Sequence, residues 1–173
     1  MSRYGLKVAR RYSEELPAFA TREAATTALF RLRDYALERV FSIPELAGKL
    51  DFSPESLNDL EAWYFSKNKP DSLEPTNWFS FKRRLSAAHA IGFYLGEVYC
   101  RAAGFHWIVT ESAFAKGRFE IGVENSLPSG KGGLSIMLTK GRTPRETGNK
   151  RMQSLLREVK KYAAVWGTSR LTP

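Results

Sequence analysis

The stretch from Asn77 to Gly104 sets the tightest limit on how this chain can fold. Trp78, Phe81, Leu85, Ala88, Gly92, Leu95, Tyr99 and Ala102 follow at steps of three and four, so they stack along one side of a long helix. Ala87, Ile91, Tyr94 and Val98 widen that side. From Leu85 to Cys100 the one charged residue is Glu97, and a helix with so little charge is buried against several neighbours. Its uncharged run, Leu85 to Gly96, is 12 residues, short of the roughly 18 to 20 a membrane span needs. A buried core helix is therefore expected, and no membrane partner.

Within that helix, Gly92 and Gly96 stand four apart, each about 1 kcal/mol worse than alanine in a helix. Such a pair is expected where another backbone packs closely. Glu97 adjoins the contact, and Arg101, four residues on, is placed to pair with it. The structural role expected of Glu97 is to hold a neighbouring element by hydrogen bonds. A role as general base lacks the second acid, histidine or metal that catalysis would need.

Upstream, residues 1–20 read as a lead-in holding one loose helical turn. Met1 to Arg11 carries four basic residues with no apolar segment behind them, so no secretory signal is expected and a cytoplasmic location is the default. Thr21 is placed to cap a helix running to about Phe41 with Ala25, Leu29, Leu32, Ala36 and Val40 on its buried stripe. Ser42 to Phe52 is a connector. Ser53-Pro54 marks a second start, with Leu57, Leu60 and Tyr64 facing inward.

After Gly104 the apolar period changes from helical to two. Phe105, Trp107 and Val109, then Phe119, Ile121 and Val123, then Leu134, Ile136 and Leu138 alternate with more polar residues, and the connectors are too short for parallel crossovers. A final helix from about Asn149 to Trp166 is expected to bury Met152, Leu155, Val159, Tyr162 and Trp166. The expected fold is α+β, with helices on one face of a small antiparallel sheet of about three strands and a C-terminal helix, in one domain over 21–167 and a mobile tail after it.

Chemistry is harder to find. Ser129 to Gly133 resembles a phosphate loop, but Asn125 stands where the first glycine belongs and Gly132 where the magnesium-binding hydroxyl belongs, so a hairpin tip is the better reading. His89, His106 and Cys100 are too few for a four-ligand zinc site, so no metal or cofactor is expected. A Cys100–His106 nucleophile pair would put a thiolate in an apolar helix, where cysteine is normally a small buried hydrophobe. No catalytic residue is assigned, and the chain is read as no enzyme.

Leu50-Asp51-Phe52-Ser53-Pro54-Glu55-Ser56-Leu57, Gly92-Phe93-Tyr94-Leu95-Gly96-Glu97 and Gly104-Phe105-His106-Trp107 together resemble a group of small uncharacterised bacterial proteins. That group combines a Leu-Asp-aromatic-Ser helix start, a Gly-x-Tyr-x-Gly-Glu helix and a strand bearing tryptophan. Some similar proteins are thought to be immunity partners of secreted toxins. The resemblance covers residues 50–107 and brings no catalytic residues with it.

Net charge adds a partner class. Of the total of +9, residues 1–50 carry +3, residues 51–100 carry −2 and residues 101–173 carry +8. Lys131, Lys140, Arg142, Arg145, Lys150, Arg157 and Lys161 are the candidate partner-binding residues, and Gly92, Gly96, Glu97 and Trp107 the structural ones. A protein partner is expected, such as a toxin with an acidic surface. The alternative is a nucleic-acid-binding accessory protein using the same basic part.

Overall fold

The computed structural model describes residues 12–67, 87–126, 133–138 and 154–166. Helix α1 spans Arg22–Phe41 and starts at Thr21, whose hydroxyl oxygen accepts from the Ala24 N–H at 3.1 Å. Glu23 adds negative charge to its first turn, and its carboxyl is held below the usual range by its own backbone N–H and by Thr21. Ala25, Leu29, Ala36 and Val40 are buried as their spacing requires, while Leu32 stays half-buried.

A 3₁₀ turn over Pro44–Leu46 then leads to helix α2, Ser56–Ser66. This start is two residues later than Ser53-Pro54 implies. The first bonds, Ser56 N–H to Ser53 O and Leu57 N–H to Pro54 O, close tight turns before the helix widens. Ser53 still satisfies an orphan donor, because its hydroxyl accepts from the Ser56 N–H.

Helix α3 covers Ala87–Ala103, and Gly104 ends it at φ 68°, in the left-handed region glycine adopts without steric cost. Trp78, Phe81 and Leu85, expected to begin this helix, lie outside the described residues. Three antiparallel strands follow in the order β1 (His106–Glu111), β2 (Phe119–Ser126), β3 (Gly133–Met137). Trp107 sits opposite Val123, Val109 opposite Ile121, and Val123 opposite Ile136, so one face is apolar across all three strands. The Asn125 amide donates to Ala103 O at 2.8 Å, satisfying a carbonyl at the end of α3. Helix α4, Ser154–Trp166, closes the described chain; Met152 and the Trp166 side chain are outside it.

The architecture is α+β. Helix α3 lies between two apolar clusters. Phe93 joins Leu29 and Ala36 of α1 to Val109, Phe119 and Ile121 of the sheet. Ile91, Tyr94, Leu95, Val98 and Tyr99 join α2 and α4 to Val123, Ile136 and Leu138. A helix sharing its surface among so many neighbours has little room for charge, which is the physical content of its composition.

Residues 12–19 run along β2. Phe119 donates its N–H to Pro17 O at 3.0 Å, Phe19 donates to Gly117 O at 2.9 Å, and Leu16 is buried. On the outer sheet face the Tyr12 hydroxyl donates to Glu120 at 2.9 Å, and burial together with that carboxylate raises the tyrosine pKa.

Candidate functional site

Two clusters of side chains bring the sequence motifs together on α3. The first is built on Gly96. A Cβ placed there would lie 2.4 Å from Cη2 and 2.7 Å from Cζ2 of Trp107, and 2.8 Å from Cδ1 of Leu138. The close neighbour is therefore an indole ring from β1, not the backbone expected from the glycine pair. The ring is pinned as well as packed, since its Nε1–H donates to Glu97 Oε1 at 2.8 Å. Gly92 is buried in the same helix.

Arg33 completes this cluster from α1. Its guanidinium lies 4.5 Å from the Phe30 ring centre and 5.3 Å from that of Trp107, with Nη1 at 3.9 Å from Glu97 Oε1. It also donates twice to Asp34 Oδ1, at 2.8 and 2.6 Å. Arg101, expected to pair with Glu97, instead lies over the Phe52 ring at 4.1 Å. Glu97 turns toward the sheet because an indole donor and a half-buried guanidinium are fixed there. An exposed arginine in the same helix offers a weaker, more hydrated bond.

The second cluster surrounds Phe52. Among the described residues it is the one non-glycine with positive φ, at 62°. A bulky residue there costs on the order of 1–2 kcal/mol. Four interactions offset that strain. Phe52 N–H donates to the Tyr94 hydroxyl at 2.9 Å, and the two rings stack at 5.0 Å with 20° between their planes. Phe41 meets Phe52 edge-on at 5.2 Å, and Arg101 covers it. Beside it, Asp51 Oδ1 accepts from Ser53 N–H at 2.8 Å, and the hydroxyl and amide of Ser53 hold that carboxyl below its usual range.

The hydroxyls here are fully used. Tyr94 accepts from Phe52 N–H, Ser56 donates its one hydroxyl proton to Ser53 O at 2.6 Å, and the Tyr94 hydroxyl therefore donates to Ser56 Oγ at 2.6 Å. Burial raises the Tyr94 pKa. A serine whose proton is committed to a carbonyl, beside a tyrosine without a base, is a structural lock and no nucleophile. Cys100 is held as the neutral thiol in this setting. Burial first, and the Glu97 carboxylate second, push its thiol up to about 12, while His106 is exposed on the outer strand. Among the described residues no group of three or more His, Cys, Asp or Glu is placed to hold a metal ion.

One buried carboxylate was not singled out from the sequence. Glu61 of α2 is completely buried and accepts the Leu155 N–H at the start of α4, where the positive end of the helix dipole favours it. The signal was present, since Glu61 falls on the stripe of Leu57, Leu60 and Tyr64.

Of the basic candidates, Arg157 and Lys161 are exposed on α4, with Lys161 Nζ at 5.7 Å from the Tyr162 ring centre. Lys160 beside them is exposed and pairs with Glu55 at 3.3 Å. Lys131, Lys140, Arg142, Arg145 and Lys150 lie outside the described residues, as do Ser129 to Gly132 of the glycine-rich segment. Among the described residues no helix is long and apolar enough to cross a membrane.

Comparison with curated proteins and with solved structures found no match. A family model does match, over residues 18–163, a span that holds both clusters and all three strands. The chain belongs to the family described as uncharacterised protein YwmA.

Proposed function

We propose that the chain is a non-enzymatic protein-binding module that docks an acidic partner through the outer face of α4. The observation that carries this reading is the division of that helix. Leu155, Leu156 and Val159 are buried in the core, while Arg157, Lys160 and Lys161 are exposed. Three of the thirteen basic residues in the last 73 residues thus sit on one rigid element, with Lys160 among them paired to Glu55. The satisfied hydroxyls around Tyr94 and the protonated Cys100 favour binding over catalysis. Neutralising a toxin with an acidic surface is the specific form of this reading, suggested by the resemblance of the 50–107 motifs.

Partners captured from the host by the wild-type chain provide the test. Arg157→Glu with Lys161→Glu is expected to weaken the complex by about 2 kcal/mol or more where these charges are desolvated, with thermal stability nearly unchanged. A complex that survives the reversal would reduce the basic face to a solubility feature. The same basic residues also suit nucleic acid. In that case unrelated duplexes would bind at low salt, with log affinity falling linearly in log salt between about 50 and about 200 mM.

A further inference from the structure

Arg101 carries an observation that α4 does not. Glu97 precedes it by four residues, the order and spacing at which a helix pairs acid with base. Yet the Glu97 carboxylate is engaged by the Trp107 N–H and by Arg33. Arg101 is exposed, sits over Phe52, and has no carboxylate within ion-pair distance among the described residues. On the edge of the same Phe52 ring, Phe41 is 42% exposed, one of two large apolar side chains so open among the described residues.

We propose that Phe41, Phe52 and Arg101 form a docking site for a segment of a partner protein in which a single carboxylate stands beside a large apolar side chain. The carboxylate would take the open N–H donors of Arg101, whose planar group is pre-ordered by the ring beneath it. The apolar neighbour would cover Phe41. Aromatic residues and arginine are the side chains that dominate protein interfaces. The platform is already rigid, because the Phe52 backbone is fixed by Tyr94, so little further order has to be imposed on binding.

The surroundings select a protein over a polyanion. Asp51, adjacent to Phe52, is exposed, and its hydrogen bonds from Ser53 favour the ionised carboxylate. A phosphate backbone laid along Arg101 would meet that charge; a single carboxylate on an otherwise apolar segment avoids it. The net charge of +9 speeds encounter with an acidic protein. This inference rests on the protein-binding reading but uses residues separate from those of α4.

The test uses the full chain, immobilised and presented with a displayed random-peptide library, with counter-selection on Arg101→Glu. Selected peptides are then titrated by fluorescence anisotropy. Enriched peptides should place Asp or Glu next to Leu, Phe or Trp. Arg101→Ala and Phe41→Ser should each weaken them about tenfold or more, and Arg101→Lys should recover part of the loss. Thermal melting of each variant checks the fold, and Arg101→Lys with Phe41→Ser carries the test if the alanine variant melts early. No enrichment, enrichment without acidic residues, or equal binding to the Arg101→Ala variant overturns the proposal. So does Arg101-dependent binding of random duplex DNA or of anionic lipid vesicles in place of peptides. If the α4 reversals abolish partner capture while the Arg101 and Phe41 variants do not, the proposed function stands and this site falls.

Discussion

Where α3 meets the sheet, the gap at Gly96 is filled by the Trp107 ring and Glu97 holds the indole N–H. Where the same helix meets the connector before α2, Tyr94 holds a strained Phe52 and Arg101 stays open to solvent. The first contact is partly buried and satisfied from within: ring, carboxylate and the Arg33 guanidinium engage one another. The second is rigid below and open above, with Phe41 and Arg101 exposed over a fixed platform. The difference separates two uses of aromatic residues, one that seals a core and one that stiffens a surface.

The sharpest way to break this comparison is Gly96→Leu. Its Cβ alone would overlap Trp107 and Leu138, and the ring cannot yield without losing its bond to Glu97. The expected loss is about 3 kcal/mol or more, seen as a fall of roughly 6 to 12 °C in Tm. Unchanged melting would show that the sheet contact is looser than the connector contact and reverse the contrast.

A smaller effect is expected from Tyr94→Phe, which keeps the ring stack and removes the hydroxyl that fixes Phe52. The Phe52 N–H then loses its acceptor, at a cost of about 1–2 kcal/mol in urea unfolding. If instead stability were unchanged, the rigidity claimed for the open platform would come from stacking alone.

Cys100 sharpens the boundary between the two contacts, being half-buried on α3 between Glu97 and Arg101. Its thiol is shifted from 9.0 up to about 12 by burial and by Glu97. Between those values the folded chain keeps a proton that the unfolded chain has released. The stability associated with the neutral thiol is therefore complete below the lower value and is lost as pH rises through the higher one. Iodoacetamide at mildly alkaline pH should alkylate the native chain much more slowly than the urea-unfolded chain. Equal rates would extend the open surface down to Cys100.

Much of the sealed contact can be read from sequence, and little of the open one. The glycine spacing on α3 marks a close approach at Gly96, and Glu97 beside it is legible as a hydrogen-bond acceptor. What fills the gap is not, because a backbone and an indole ring leave the same mark on a helix face. The Leu-Asp-Phe-Ser segment reads as a helix start, yet its left-handed Phe52 carries no local signature such as glycine or asparagine. It is held by Tyr94, 42 residues away. Glu61 shows the same limit: its place on a buried stripe is visible in α2, but the helix end it satisfies belongs to α4.

By itself the sequence determined which faces are buried. The low charge of α3, the alternation of Phe119, Ile121 and Val123, and the Thr21 cap are local patterns, and period and capping depend on a few neighbouring residues. Only the tertiary structure decided which of several competent partners each polar group takes. Glu97 had Arg101 within helical reach and Trp107, ten residues on, across the turn at Gly104. The indole is held in place by packing against Gly96, so its bond needs little further ordering, whereas a pair with exposed Arg101 would order two long side chains in water. That choice seals the sheet and leaves Arg101 over Phe52, facing solvent.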